Sequence, residues 1–120
     1  MGKKEKTTAE IRKIRVLEKA FQDIEQITDF IAIAKQQPLN AVKVAGSIFA
    51  MIDKIGQNPS AYKECEQIPT KTKLYRQAVC QSWLIIYKIT NKEIIILGVI
   101  HSARHPSRIR ALRSRPALSS

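Results

Sequence analysis

Residues 94–100, IIILGVI, form an uncharged run dominated by β-branched side chains. Seven residues are far too few to cross a membrane as a helix, which takes about 20. Without polar alternation the run has no face to give to water, so it predicts a central strand covered on both sides. That expectation constrains everything else, because the chain must supply strands to flank the run and layers to cover it. The run ends directly in HSARHPSR, residues 101–108, which holds both histidines of the chain and two arginines. The end of a rigid interior strand is a place where chemistry can be held in fixed geometry.

The surrounding elements are readable from their periods. In LEKAFQDIEQITDFIAIAKQ, residues 17–36, Ala20, Ile24, Ile27, Ile31 and Ala34 recur at helical spacing. Pro38 ends that helix and can open a second at its first turn. The second helix carries a stripe of Val42, Ala45, Phe49, Ile52 and Ile55, with Gly56 as its expected C-cap. So short a link predicts an antiparallel helical hairpin. Residues 73–80 and 82–90 switch to strand-like composition, and TNKE at 90–93 reads as the turn before the central strand. Pro106 and the arginine-rich remainder predict a short basic C-terminal helix or tail. EIRKIRVL, residues 10–17, fits a first strand and an extension of the helix equally well.

Charge narrows the choice of partners. The net charge is +11, and from Gln67 onward ten Lys or Arg face a single acid, Glu93, while residues 1–66 are nearly balanced. A one-signed field of this kind attracts nucleic acid or an acidic protein surface. Cys65 and Cys80 lack metal-ligand spacing and predict a reduced pair rather than a disulfide or zinc site. The first residues, MGKKEKTTAE, have no apolar stretch behind them, so no secretory signal is expected. The reading is a single soluble, cytoplasmic domain with no membrane attachment, metal or other cofactor.

Each candidate site residue has a plainer reading beside it. His101, Arg104 and His105 would emerge together from the end of the central strand, suited to moving a proton or gripping a phosphate. His101 could instead be a partly buried residue bonded to a backbone carbonyl, and His105 an exposed turn residue before Pro106. Arg104, Arg108 and Arg110 could form a solvated face. Arg76, in the second strand, is either a cleft residue or an edge charge. Trp83 and Tyr87 read as core aromatics or as a base-stacking platform. Lys71 and Lys73 lie in an expected loop and suit simple phosphate contacts. Gly-rich phosphate loops, HExxH, GxSxG and paired catalytic carboxylates are missing from the sequence.

Taken together, KAFQDIEQITDFI, LYRQAVCQSWLIIYKI, KEIIILGVIHSARHP and the basic tail resemble the RelE/ParE superfamily of bacterial toxins in order and spacing. The resemblance covers residues 11–113, leaving 1–10 and 114–120 as flexible ends. It implies an α+β fold: an N-terminal strand from EIRKIRV, a helical hairpin, then a three-stranded antiparallel meander forming a twisted sheet. It implies a cognate antitoxin that wraps an acidic segment over the toxin, with a larger toxin–antitoxin hetero-oligomer as one outcome. RelE-like members cut messenger RNA on the ribosome, whereas ParE-like members inhibit DNA gyrase by binding. For the first activity the resemblance nominates Arg76, Arg104 and His105 as catalytic. For the second it nominates Lys71, Lys73, His101, Arg108, Arg110 and Arg113 as a target-binding surface. Two departures favour the ParE-like activity: Leu84 follows Trp83 where RelE-like toxins often carry arginine, and no tyrosine follows Tyr87.

Overall fold

The computed structural model describes residues 12–116. The expected end 1–10 lies outside that range, as do residues 117–120 of the expected tail 114–120. Strand β1 (Lys13–Val16) leads straight into helix α1 (Glu18–Asp29), which loosens into a wider π-helical turn over Phe30–Ala34. Helix α2 (Pro38–Gln57) returns antiparallel, with Pro38 at its first turn, where the missing N–H is not needed. Strands β2 (Tyr75–Cys80), β3 (Trp83–Ile89) and β4 (Glu93–His101) follow as a meander, and helix α3 (Pro106–Ala111) closes the described chain with a short 3-10 turn at Leu112–Ser114.

The sheet order is β1-β4-β3-β2. The meander is antiparallel, whereas β1 runs parallel to β4 in the register Lys13 opposite Glu93 to Val16 opposite Ile96. KIRV, residues 13–16, therefore supplies a strand, and the IIILGVI run is an interior one, with Ile94 to Val99 all buried. The outer edge of β2 is not left open. Residues 63–65 lie along it, with Gln77 N donating to Lys63 O at 3.0 Å and Cys65 N donating to Tyr75 O at 2.8 Å. Covering an edge in this way removes a template for unwanted strand pairing.

The helical stripe on α1 agrees with the sequence at Ala20, Ile24 and Ile31, but Ala34 is exposed. On α2 the phase differs from expectation. The buried face is Ala41, Val44, Ile48, Ile52 and Ile55, and Val42 and Phe49 point outward. Gly56 is not a C-cap either, since α2 continues through it to Gln57 and no described glycine takes a positive φ. A Cβ at Gly56 would overlap Cδ1 of Ile14, so the end of that β1 side chain occupies the space beside the glycine. Both cysteines are buried and free, and burial raises their thiol pKa values above the ordinary range. No described helix is long and apolar enough to cross a membrane.

Candidate functional site

Strand β4 outruns β1. The last pairing between them is Val16 with Ile96, supplemented by Leu17 N donating to Ile96 O at 3.1 Å, while β4 continues to His101. Past that point side chains replace the missing strand. The carboxylate of Asp23, from α1, accepts from Val99 N at 3.0 Å, and Arg115 Nη1 donates to Leu97 O at 2.9 Å. The two side chains also join each other, at 2.7 Å from Nη1 and 3.1 Å from Nη2. This two-pronged pairing ties α1, β4 and the C-terminal segment together. Gly98 makes room for it, since a Cβ there would lie 2.8 Å from Arg115 Nη1 and 2.9 Å from Asp23 Oδ2. Arg115, two residues past the resemblance's end at 113, is thus bonded to both α1 and β4.

Above this latch, an open cleft of about 710 Å³ lies between α1, the start of β3, the end of β4 and α3. Ile27 and Phe30 line it from α1, Trp83 from β3, and His101, Arg104 and Arg108 from the far end of β4 onward. The apolar wall is thus flanked by exposed guanidinium groups, while the one carboxylate at its base, Asp23, is already paired. The cleft suits an extended segment that offers apolar side chains to the wall and carboxylates or phosphates to the arginines.

Each histidine ring accepts a backbone N–H at Nδ1. The His101 ring stands edge-on to Trp83, with ring centres 5.1 Å apart, and its Nδ1 accepts from Ala103 N at 3.0 Å. Its plainer reading is therefore half right: the ring is half-buried and bonded to backbone, but to an N–H rather than a carbonyl. His105 is exposed and caps α3, its Nδ1 accepting from Ser107 N at 3.1 Å. A neutral imidazole has one lone-pair nitrogen and one N–H. With Nδ1 accepting in both rings, the outward nitrogen of each is the N–H donor.

The other nominated residues are dispersed. Arg76 donates to three backbone carbonyls, those of Lys73, Ser60 and Tyr62, and so braces the loop before β2. It pairs with Tyr87, which pairs with Ile96, whereas His101 lies opposite Trp83. That offset of several residues and two strands sets Arg76 on the order of 15–20 Å from the end of β4. Lys71 and Lys73 are exposed on the same loop, and Arg110 and Arg113 are exposed but do not line the cleft. Tyr87 is fully buried and donates to Pro59 O at 2.5 Å, which makes it a core residue; burial raises its pKa above the ordinary phenol range, opposed by Arg76. Trp83 alone of the two aromatics reaches the cleft. Among the described residues no cluster of three or more His, Cys, Asp or Glu could hold a metal ion.

Sequence reasoning missed Asp23, Arg115, Ile27 and Phe30. Asp23 is legible in retrospect as the acid sitting between the buried Ala20 and Ile24, whereas nothing local marks Arg115.

The profile of the ParE toxin of type II toxin–antitoxin systems, parDE, matches residues 14–106. Among solved structures, the chain is similar to a chromosomal ParDE toxin–antitoxin system from P. aeruginosa, with a TM-score of 0.64 and 20% identity over 76% of this chain and 96% of that one. The crystal structure of YafQ from E. coli strain BL21(DE3) overlays more loosely, at a TM-score of 0.42 and 22% identity over 77% of this chain and 94% of that one. No curated protein sequence gives a significant match. Its sheet order, helical hairpin and matched span make the chain a member of the ParE toxin family, within the RelE/ParE superfamily.

Proposed function

We propose that this protein is a growth-inhibiting toxin that acts by holding DNA gyrase, and that a cognate antitoxin neutralises it by laying an acidic segment over the basic cleft. One observation supports the binding mechanism over RNA cleavage. Both histidines use their lone-pair nitrogen to accept a backbone N–H, so each offers an N–H donor outward. A donor can grip a carboxylate or a phosphate, but a general base must present a lone pair to the proton it removes. Arg76, nominated for an RNA-cleaving centre, is turned to three carbonyls and lies far from Arg104 and His105. Arg104 and Arg108 on the rim, with the outlying Arg110 and Arg113, make an interaction surface rather than a compact catalytic cluster.

The test pairs two assays on the purified protein. In one, it is added to gyrase with relaxed plasmid; in the other, to ribosomes translating a defined message, with ends mapped by primer extension. Loss of supercoiling with intact message is the expected result. New message ends that require ribosomes would replace this reading with the RelE-like one.

A further inference from the structure

Six of the seven large apolar side chains that are exposed among the described residues lie on the helical hairpin. Phe30 belongs to the cleft. Three others share one side of α2: Leu39, Val42 and Phe49, which are 79%, 69% and 41% exposed. With Gly46 they follow the spacing of a single helical stripe, offset from the stripe that packs on the sheet. Phe49 carries the patch across to α1, where its ring centre lies 6.2 Å from that of Phe21. Ile33, also exposed, stands in the turn that leads to the link.

Gly46 has no intramolecular reason to be glycine. A Cβ there would meet nothing within 4 Å, and mid-helix glycine costs about 1 kcal/mol relative to alanine. It leaves a gap between Val42 and Phe49 in an otherwise apolar row. The row also has a twofold symmetry of its own, since Leu39 and Phe49 are as far from residue 44 as one another, and so are Val42 and Gly46.

Charge selects the occupant. Residues 18–57 hold four lysines and five acids, while the chain as a whole carries +11. A polyanionic partner is drawn to the basic surface elsewhere, and the near-neutral hairpin is where two like-charged copies can meet without repulsion. The five outward side chains present roughly 500–600 Å² of apolar surface, taking about 150–200 Å² for each when fully exposed. That is most of the about 800 Å² that each partner contributes to a stable interface.

We infer that the outer face of the hairpin is a homodimer interface. Two α2 helices cross antiparallel on a twofold axis near residue 44, Val42 of each copy seats on Gly46 of the other, and Leu39 meets Phe49. This contact is isologous and closes at two copies, leaving both clefts free. Four helices then stack as a bundle between two outward basic surfaces.

The full chain is tested by sedimentation velocity from about 1 to 100 μM, alongside Val42→Glu and Gly46→Gln, with circular dichroism melting for each. A concentration-dependent dimer is expected, with Val42→Glu raising its dissociation constant about 100-fold or more. Gly46→Gln fills the gap while favouring the helix, so it should weaken the dimer without lowering the melting temperature. Mixing Val42→Cys with Gly46→Cys chains should yield the mixed disulfide in preference to either homodisulfide. A wild type that stays monomeric throughout, or a dimer indifferent to all these substitutions, would overturn the inference. So would a monomeric wild type whose antitoxin binding is abolished by Val42→Glu, because the face would then belong to that partner.

Discussion

Arg115 closes on Asp23 across 92 residues of sequence, with both terminal nitrogens of the guanidinium engaged and one of them also holding Leu97 O. The side chains are 22% and 17% exposed, so solvent screens the pair only in part. Removing Arg115 leaves Asp23 still able to accept from Val99 N, whereas removing Asp23 strands that N–H and leaves the guanidinium only Leu97 O. Asp23→Ala should therefore destabilise more than Arg115→Ala, by about 2–3 against about 1–2 kcal/mol. Urea denaturation of the two variants measures the order, and the reverse order would show that the carboxylate does not cap β4.

Alanine at Gly56 should destabilise, contrary to its helix propensity. Its Cβ enters the volume of Ile14 Cδ1, and overpacking costs about 1–3 kcal/mol against about 1 kcal/mol gained in helix propensity. Combined with Ile14→Ala, which vacates that volume, the glycine substitution should recover most of its loss. A double-mutant cycle with no coupling would place the strain elsewhere.

His105→Ala should cost about 1 kcal/mol through loss of the α3 N-cap, and His105→Asn should restore it. On the binding reading neither variant abolishes growth inhibition. Charge reversal at Arg104 and Arg108 together should do so and should weaken antitoxin binding at least tenfold, by roughly 1.4 kcal/mol or more. Growth assays beside a titration against antitoxin separate the two effects; an inactive His105→Asn protein that still binds antitoxin normally would point to catalysis.

Tyr87 makes stability fall at alkaline pH. Burial raises its folded pKa, so the unfolded chain loses this proton first as pH climbs past the ordinary phenol value of about 10. The stabilisation is complete below that value and declines above it at about 1.4 kcal/mol per pH unit. The buried thiols of Cys65 and Cys80 act with the same sign from their own, lower ordinary values. Tyr87→Phe should lose about 1 kcal/mol at neutral pH with the bond to Pro59 O, yet show a shallower alkaline decline. Denaturation series between pH 7 and about 11 test this; parallel curves would rule out Tyr87 as the source.

The elements that sequence reveals are those whose signal is local. IIILGVI names a central strand because a short, β-branched run without polar alternation suits a strand covered on both faces, and Pro38 marks the link in the hairpin. The phase of α2 is not legible in sequence for a physical reason: the helix carries two apolar stripes, and periodicity alone cannot say which meets the sheet. Gly56 was misread because the approach of Ile14 is a tertiary fact. Arg76 shares a strand face with Ala78 and Cys80, but only the path of the 60–73 loop turns its guanidinium onto carbonyls. The histidine–arginine cluster was visible as a junction of strand and basic segment. Its apolar wall was not, because that wall comes from α1.

The parallel pairing of β1 with β4 carries a consequence in time. Lys13 waits for Glu93, so about 80 residues must be translated between them, which at about 5–20 residues per second takes roughly 4–16 seconds. The hairpin can form early from near neighbours, but the sheet cannot close until Glu93 has been made, nor Arg115 latch until it too has emerged. Within this domain the cleft is therefore among the last features to form. An antitoxin made alongside it has that interval in which to be present first.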